Sequence, residues 1–218
     1  MPNQNFERGA RMNFCFLLFP DAEELDFVGP WEIINAWSKY AGGPEHCLTI
    51  SEAGGEVRCA KGMRLVAEHS FADCPPLDYL LIPGGQGTRR EVNNSVLVEF
   101  VQRQASSCRE VLSVCTGSFI LQAAGLLRGK RATTHWASLE RLRQFPEVTV
   151  DEQRFVRDGN IWTAAGVSAG IDLALALVED QAGEDAASRV QLYVEYYPNA
   201  KKFGHAHETE QAPAYLKA

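Results

Sequence analysis

Residues 110–127, "EVLSVCTGSFILQAAGLL", run an apolar β-like segment straight through Cys115 and into a stretch with helical spacing. A strand that turns directly into a helix is the repeating unit of an α/β domain. The same pattern extends outward on both sides. "NFCFLLF" at 13–19 and "LDYLLIP" at 77–83 are continuous apolar runs, as parallel strands covered on both faces require. "HCLTIS" at 46–51 is a further strand. From Gly29-Pro30 onward, "PWEIINAWSKY" reads as a helix with proline in its first turn and "AGGP" at its end. Residues 90–105 have helical spacing, "RATTH" is a brief strand, and "WASLERLRQF" is a helix stopped by Pro146. A strand pair around "VTV" and "RFVRDGNIWTA" precedes helices at roughly 169–180 and 184–196. The stretch 53–73, richer in glycine and charge, reads as short strands or a loop excursion.

The expected fold is therefore α/β, with a mostly parallel central sheet and right-handed crossovers. The 218 residues suit one domain, set at 13–197 between a flexible N-terminal segment, 1–12, and a tail, 198–218. The tail lacks a sustained apolar period, so it is read as disordered or laid against another surface.

Composition excludes several function classes. Acidic residues outnumber basic ones, 28 to 21, and a formal net charge of −7 offers no attraction to phosphate backbones or anionic membranes. Nucleic acid and membrane are not expected partners. The longest apolar runs fall short of the roughly 18 residues a bilayer span needs. The first twelve residues are not followed by the apolar core of a secretion signal. Six cysteines, at 15, 47, 59, 74, 108 and 115, are scattered without paired close spacings, which argues against a disulfide framework and for reduced thiols in the cytoplasm. The five histidines make no ligand cluster, and no metal site is expected.

In open α/β sheets, ligands gather outside the carboxyl ends of the strands. Applied here, that rule brings together Asp26 with Gly29, Gly84 with Gly85, Cys115 with Thr116, and His135 with Trp136. A thiol at a strand-to-helix corner meets unpaired N–H groups that stabilise its thiolate, so the Cys115 pKa is expected to fall. The N–H groups of Gly84, Gly85 and Thr116 are candidates to hold developing negative charge. Asp26 is the candidate proton carrier, provided burial raises its pKa toward neutrality.

Each residue also has a plainer reading. Cys15, Cys47, Cys59, Cys74 and Cys108 are read as small buried hydrophobes. Asp26 alone would as readily cap a helix beginning near Gly29-Pro30. Gly84 and Gly85 alone would be turn residues, and His135 alone a structural histidine. "GVSAG" at 166–170 matches the G-x-S-x-G nucleophile motif. A hydrolase order would then need an acid and a histidine on later strand ends, yet about 50 residues follow Ser168, and they read as two helices and a tail. Small residues that let a helix pack closely on the sheet are the preferred reading.

"LDFVGP", "FADCPPLDYLLIPGG" and "SVCTGSFILQAAGLLRGKRATTHW", in that order along the chain, resemble the ThiJ/PfpI superfamily of glutamine-amidotransferase-like fold, and within it the isocyanide (isonitrile) hydratases. The resemblance implies a flavodoxin-like three-layer sandwich, usually a homodimer, with a strained nucleophile at Cys115 and an acidic partner at Asp26. It extends to Thr116, after the cysteine, and to the turn at Gly85. The implied reaction adds water to an isocyanide to give an N-substituted formamide, with no cofactor. His135, Trp136, Ala165 and Val167 are the expected pocket wall, where "TAAGVSAG" departs from the hydratase pattern by Ala164 and Ala165 in place of glycine. The alternative is a stand-alone ligand or redox sensor, because AraC-type transcription regulators carry similar "CTG" and "ATTHW" motifs. The acidic balance and the few residues after 197 disfavour a DNA-binding domain here.

Overall fold

A computed structural model describes residues 12–198, 202–210 and 212–217. The N-terminal segment read as flexible lies almost wholly outside them. In chain order the elements begin β1 (Asn13–Leu17), α1 (Glu24–Tyr40), β2 (His46–Ser51), β3 (Gly55–Arg58), β4 (Arg64–Ala67), β5 (His69–Ser70) and β6 (Tyr79–Ile82). Next come α2 (Thr88–Glu91), α3 (Ser95–Ala105), β7 (Glu110–Val114), α4 (Ser118–Ala123), β8 (Lys130–Ala132), α5 (Leu139–Leu142) and β9 (Val148–Val150). The chain continues through β10 (Phe155–Asp158), β11 (Ile161–Ala164), α6 (Ala169–Ala182), α7 (Glu184–Tyr193) and α8 (Ala214–Lys217).

Seven strands form one sheet in the order β10-β11-β7-β6-β1-β2-β5, parallel throughout except for β10 against β11. Strands β6, β7 and β11 are buried at every position, as their unbroken apolar runs require when helices cover both faces. Helices α1, α6 and α7 pack together as one layer, and α3 with α4 in the other. The fold is the α/β, flavodoxin-like three-layer sandwich. The chain order reverses between β1 and β6, and an isolated bridge from Ala22 to Gly85 ties the loops that leave those two strands. Ligands in such sheets bind at this switch point.

Four segments differ from the sequence reading. Helix α1 starts at Glu24, ahead of Gly29-Pro30, and carries Pro30 inside it. Its acidic first turn suits a helix N-terminus, and Pro30 simply leaves the Asp26 carbonyl without an N–H partner. Strand β9 pairs with β8 in a separate two-stranded parallel sheet, so "VTV" is not the partner of β10. "GSFILQAAGLL" and "WASLERLRQF" each open with a turn of 3₁₀ helix, Cys115–Gly117 and Trp136–Ser138, before a short α-helix. Beyond 197, a 3₁₀ turn at Ala206–Glu208 and α8 lie beside Trp136 of the same chain.

Candidate active site

Cys115 stands where β7 turns into the helical segment, with φ of +56°. A side chain in that left-handed region costs about 1–3 kcal/mol and persists only when its surroundings hold it. Those surroundings are visible. The Cys115 N–H donates to the Ala165 carbonyl at 2.8 Å, extending the ladder between β7 and β11. Its carbonyl accepts from the Thr134 hydroxyl at 2.9 Å and from Ser118 Oγ at 3.3 Å. Val167 is a second strained residue, with φ of +36°, and a β-branched side chain makes that conformation rarer still. Its N–H and that of Thr116 both point at the Cys115 sulfur.

Asp26, fully buried in the first turn of α1, faces the thiol. It does not cap the helix: the residue preceding α1 is Glu23, and no side chain closes that end. One carboxyl oxygen, Oδ2, accepts the Gly84 N–H at 2.7 Å. The other, Oδ1, is buried with no hydrogen-bond partner among the described residues, and so is available to hold a proton. Gly84 cannot be replaced without displacing this arrangement. A Cβ there would lie 2.6 Å from the Thr116 nitrogen and 2.9 Å from Asp26 Oδ2. Gly85 adopts φ of +111°, which L side chains rarely adopt, and its N–H donates to Thr116 Oγ1 at 3.1 Å. The Thr88 hydroxyl contacts the same Thr116 oxygen at 3.1 Å.

These contacts correct two expectations. The N–H groups of Gly84 and Gly85 are already engaged by Asp26 and Thr116, so they orient those side chains and do not wait for an oxyanion. The Cys115 pKa is also not lowered. Burial, and secondarily the Asp26 charge, push it up to about 12, against the N–H groups of Thr116 and Val167, which favour the thiolate. Burial likewise pushes Asp26 up to about 8, opposed chiefly by the Gly84 hydrogen bond. Each negative charge opposes the other, so the pair keeps both protons at neutral pH, loses the first near pH 8 and resists losing the second. With the proton on Asp26, its charge no longer opposes the thiolate, while both N–H donors remain.

The expected pocket residues occupy different places. His135 follows β8, outside the central sheet, yet it packs on the Cys115 side: a Cβ at Gly166 would lie 2.7 Å from His135 Cδ2. Its Nδ1 accepts the Ala137 N–H at 3.2 Å, and burial lowers its pKa, so it is neutral with the proton on Nε2. Trp136 is half-exposed beside it, at 40 %. Ala165 is fully buried and meets Cys115 through its backbone, so its methyl belongs to the core. Ala164, on β11, is also buried there. Ser168 is exposed and its hydroxyl accepts from the Arg154 guanidinium at 3.1 Å, with no hydrogen bond to a histidine among the described residues, so "GVSAG" is read as a packing motif. Gly170 makes this visible, because a Cβ there would lie 2.9 Å from Pro30 Cγ and 3.0 Å from Val114 Cγ2. A cleft of about 570 Å³ bounded by Leu18, Ser51, Arg90 and Leu97 opens elsewhere, and none of the candidate residues lines it.

Val167, expected from the sequence only as part of a pocket wall, contributes a strained backbone and an N–H directed at the Cys115 sulfur. Nothing in a valine signals a positive φ.

The DJ-1/PfpI family model matches residues 12–180. The chain is 41% identical over 183 residues to isonitrile hydratase of Pseudomonas putida, covering 84% of this chain and 78% of that one. It is 32% identical over 143 residues to the HTH-type transcriptional regulator GbdR of Pseudomonas aeruginosa, 65% of this chain but 39% of the regulator. Among solved structures, a ThiJ/PfpI family protein from Pseudomonas syringae superposes with a TM-score of 0.83 and 30% identity, over 100% of this chain and 89% of that one. Drosophila melanogaster DJ-1beta shares the fold, with a TM-score of 0.74 at 22% identity over 87% of this chain and 100% of that one.

Proposed function

Because this chain belongs to the DJ-1/PfpI family, we propose that it is an isonitrile hydratase-like lyase, with Cys115 as nucleophile and Asp26 as proton carrier. The observation that carries the proposal is the buried pair itself: a strained cysteine, two N–H groups aimed at its sulfur, and a carboxyl of raised pKa with one unpaired oxygen.

In the singly deprotonated pair, the reactive form places the proton on Asp26 and the charge on sulfur. The thiolate attacks the terminal carbon of R–N≡C, and Asp26 gives its proton to that carbon, leaving the thioimidate Cys115–S–CH=N–R. Asp26, now ionised, takes a proton from water as the water oxygen attacks the same carbon, and passes it to nitrogen. Collapse of the adduct forms the C=O bond, expels the thiolate and returns the hydroxyl proton to Asp26. The product is R–NH–CHO, and the pair regains its starting state. Thr116, fixed by Gly85 and Thr88, holds its N–H on the sulfur throughout. His135, Trp136 and Val167 form the mouth through which a small isocyanide reaches a thiol only 6% exposed. Water and the isocyanide are the only reactants that these steps consume.

Six free thiols suit a reducing compartment, and we place the protein in the cytoplasm as a homodimer, which light scattering would register as twice the chain mass. Among the described residues, no helix is long and apolar enough to cross a membrane.

Rapid quenching of the protein with an alkyl isocyanide, followed by intact-mass measurement, tests the covalent step. An increment of one isocyanide mass on Cys115 is expected; formamide formation with an unmodified Cys115 at every time point would refute it. The likeness to GbdR supports a second reading, a ligand or redox sensor. A sensor would oxidise at Cys115 and change its binding without turning over isocyanide.

A further inference from the structure

The hairpin of β3 and β4 takes no part in the steps above, yet its tip is bonded to the segment that carries Asp26. The Asp21 N–H donates to the Arg58 carbonyl at 2.9 Å, and the Ala60 N–H to the Ala22 carbonyl at 2.9 Å. Glu24 Oε1 accepts the Lys61 N–H at 2.7 Å and the Met63 N–H at 3.4 Å. Lys61 Nζ then closes an ion pair with Glu23 Oε1. Glu23 itself donates its N–H to the Gly84 carbonyl at 3.0 Å, and the Gly84 N–H is the donor to Asp26 Oδ2. Hairpin tip, Glu23, glycine turn and Asp26 therefore form one connected chain.

The charges around Asp26 can be named from each neighbouring element. Glu23, just before α1, opposes its ionisation, and Lys61, from the hairpin, favours it. Cys115 faces it from the end of β7. Glu24 faces Lys61 and Cys59, and His135, beyond β8, lies near Glu23 and is neutral. Lys61 is the one cation in this set, set against two glutamates.

We propose that Lys61 is a positioning residue of the Cys115–Asp26 site: from the hairpin tip it pins Glu23, offsets its charge, and so governs the ionisation of Asp26. The proposal deepens the catalytic reading above and rests on it for the role of Asp26. A purely structural hairpin would hold the loop with any long side chain and would leave the proton balance of the site alone.

The test is the pH dependence of Cys115 alkylation by iodoacetamide, read at the Cys115 peptide, which needs no isocyanide. The Lys61 side chain is 68% exposed, so solvent screens it, and Lys61→Gln should move the first ionisation of the pair upward by about half a pH unit. Glu23→Gln should move it downward, and Lys61→Arg should stay with the parent protein. Raising the salt from about 0.05 to about 0.5 M should draw the parent and Lys61→Gln profiles together. Coincident profiles at low salt, or Lys61→Gln and Glu23→Gln moving in the same direction as a loosened hairpin would produce, would overturn the proposal. Isocyanide turnover measured on the same proteins separates the two claims: a shifted alkylation profile without turnover removes the hydratase reading alone.

Discussion

A carboxyl group beside a thiol, both largely buried, is poorly placed for either to be charged, and the proposed chemistry depends on that. Burial raises Asp26 to about 8 and Cys115 to about 12, so at neutral pH the pair holds its protons and must release one before sulfur can attack. We therefore expect kcat/KM for isocyanide hydration to rise with pH along a limb centred near 8. In Asp26→Asn that limb should vanish and the rate should drop by about 10²–10⁴-fold, the usual worth of a positioned proton carrier. A pH–rate profile of the two proteins checks this, and an Asp26→Asn profile that keeps the parent's limb would assign it to another group. These two residues were legible in the sequence because the strand-end rule needs only the order of apolar runs. The direction of the thiol pKa was not, since burial depends on contacts that no local pattern records.

At the scale of elements, the site is held by the glycine turn after β6, the corner after β7 and the first turn of α1. Gly84 lies where all three meet, so Gly84→Ala would drive a methyl into the Thr116 nitrogen and Asp26. The variant should lose at least 100-fold in activity and about 1–3 kcal/mol in stability, by turnover and urea unfolding. Parent-like activity would mean that the turn relaxes freely. Strands β6 and β7 were readable from their apolar runs, and so was the packing role of "GVSAG". The start of α1 was obscured by Pro30, which looks like a helix opening but is tolerated inside because Gly170 lets α6 pack against it. The placement of β8 and β9 outside the central sheet had no signal in two short strands whose pairing is decided by tertiary contacts.

For the whole molecule, the same carboxyl sets a balance between stability and activity. The folded protein holds the Asp26 proton with a pKa of about 8, against 3.8 for a freely solvated aspartate. Protonated Asp26 is accommodated fully below about pH 4, and its contribution is lost progressively as pH rises through about 8. Asp26→Asn, which never ionises, should thus be more stable than the parent by a few kcal/mol at pH 8, with the gap closing toward pH 4; thermal unfolding at the two pH values reads it. A parent protein equally stable or more so at pH 8 would show that Asp26 is ionised at no cost. The central claim, that Cys115 turns over isocyanides, is tested most directly by formamide production from an alkyl isocyanide by the parent protein and by Cys115→Ala at equal concentration. The account predicts many turnovers per parent chain and none for Cys115→Ala; equal rates for the two, or no turnover by either, would contradict it.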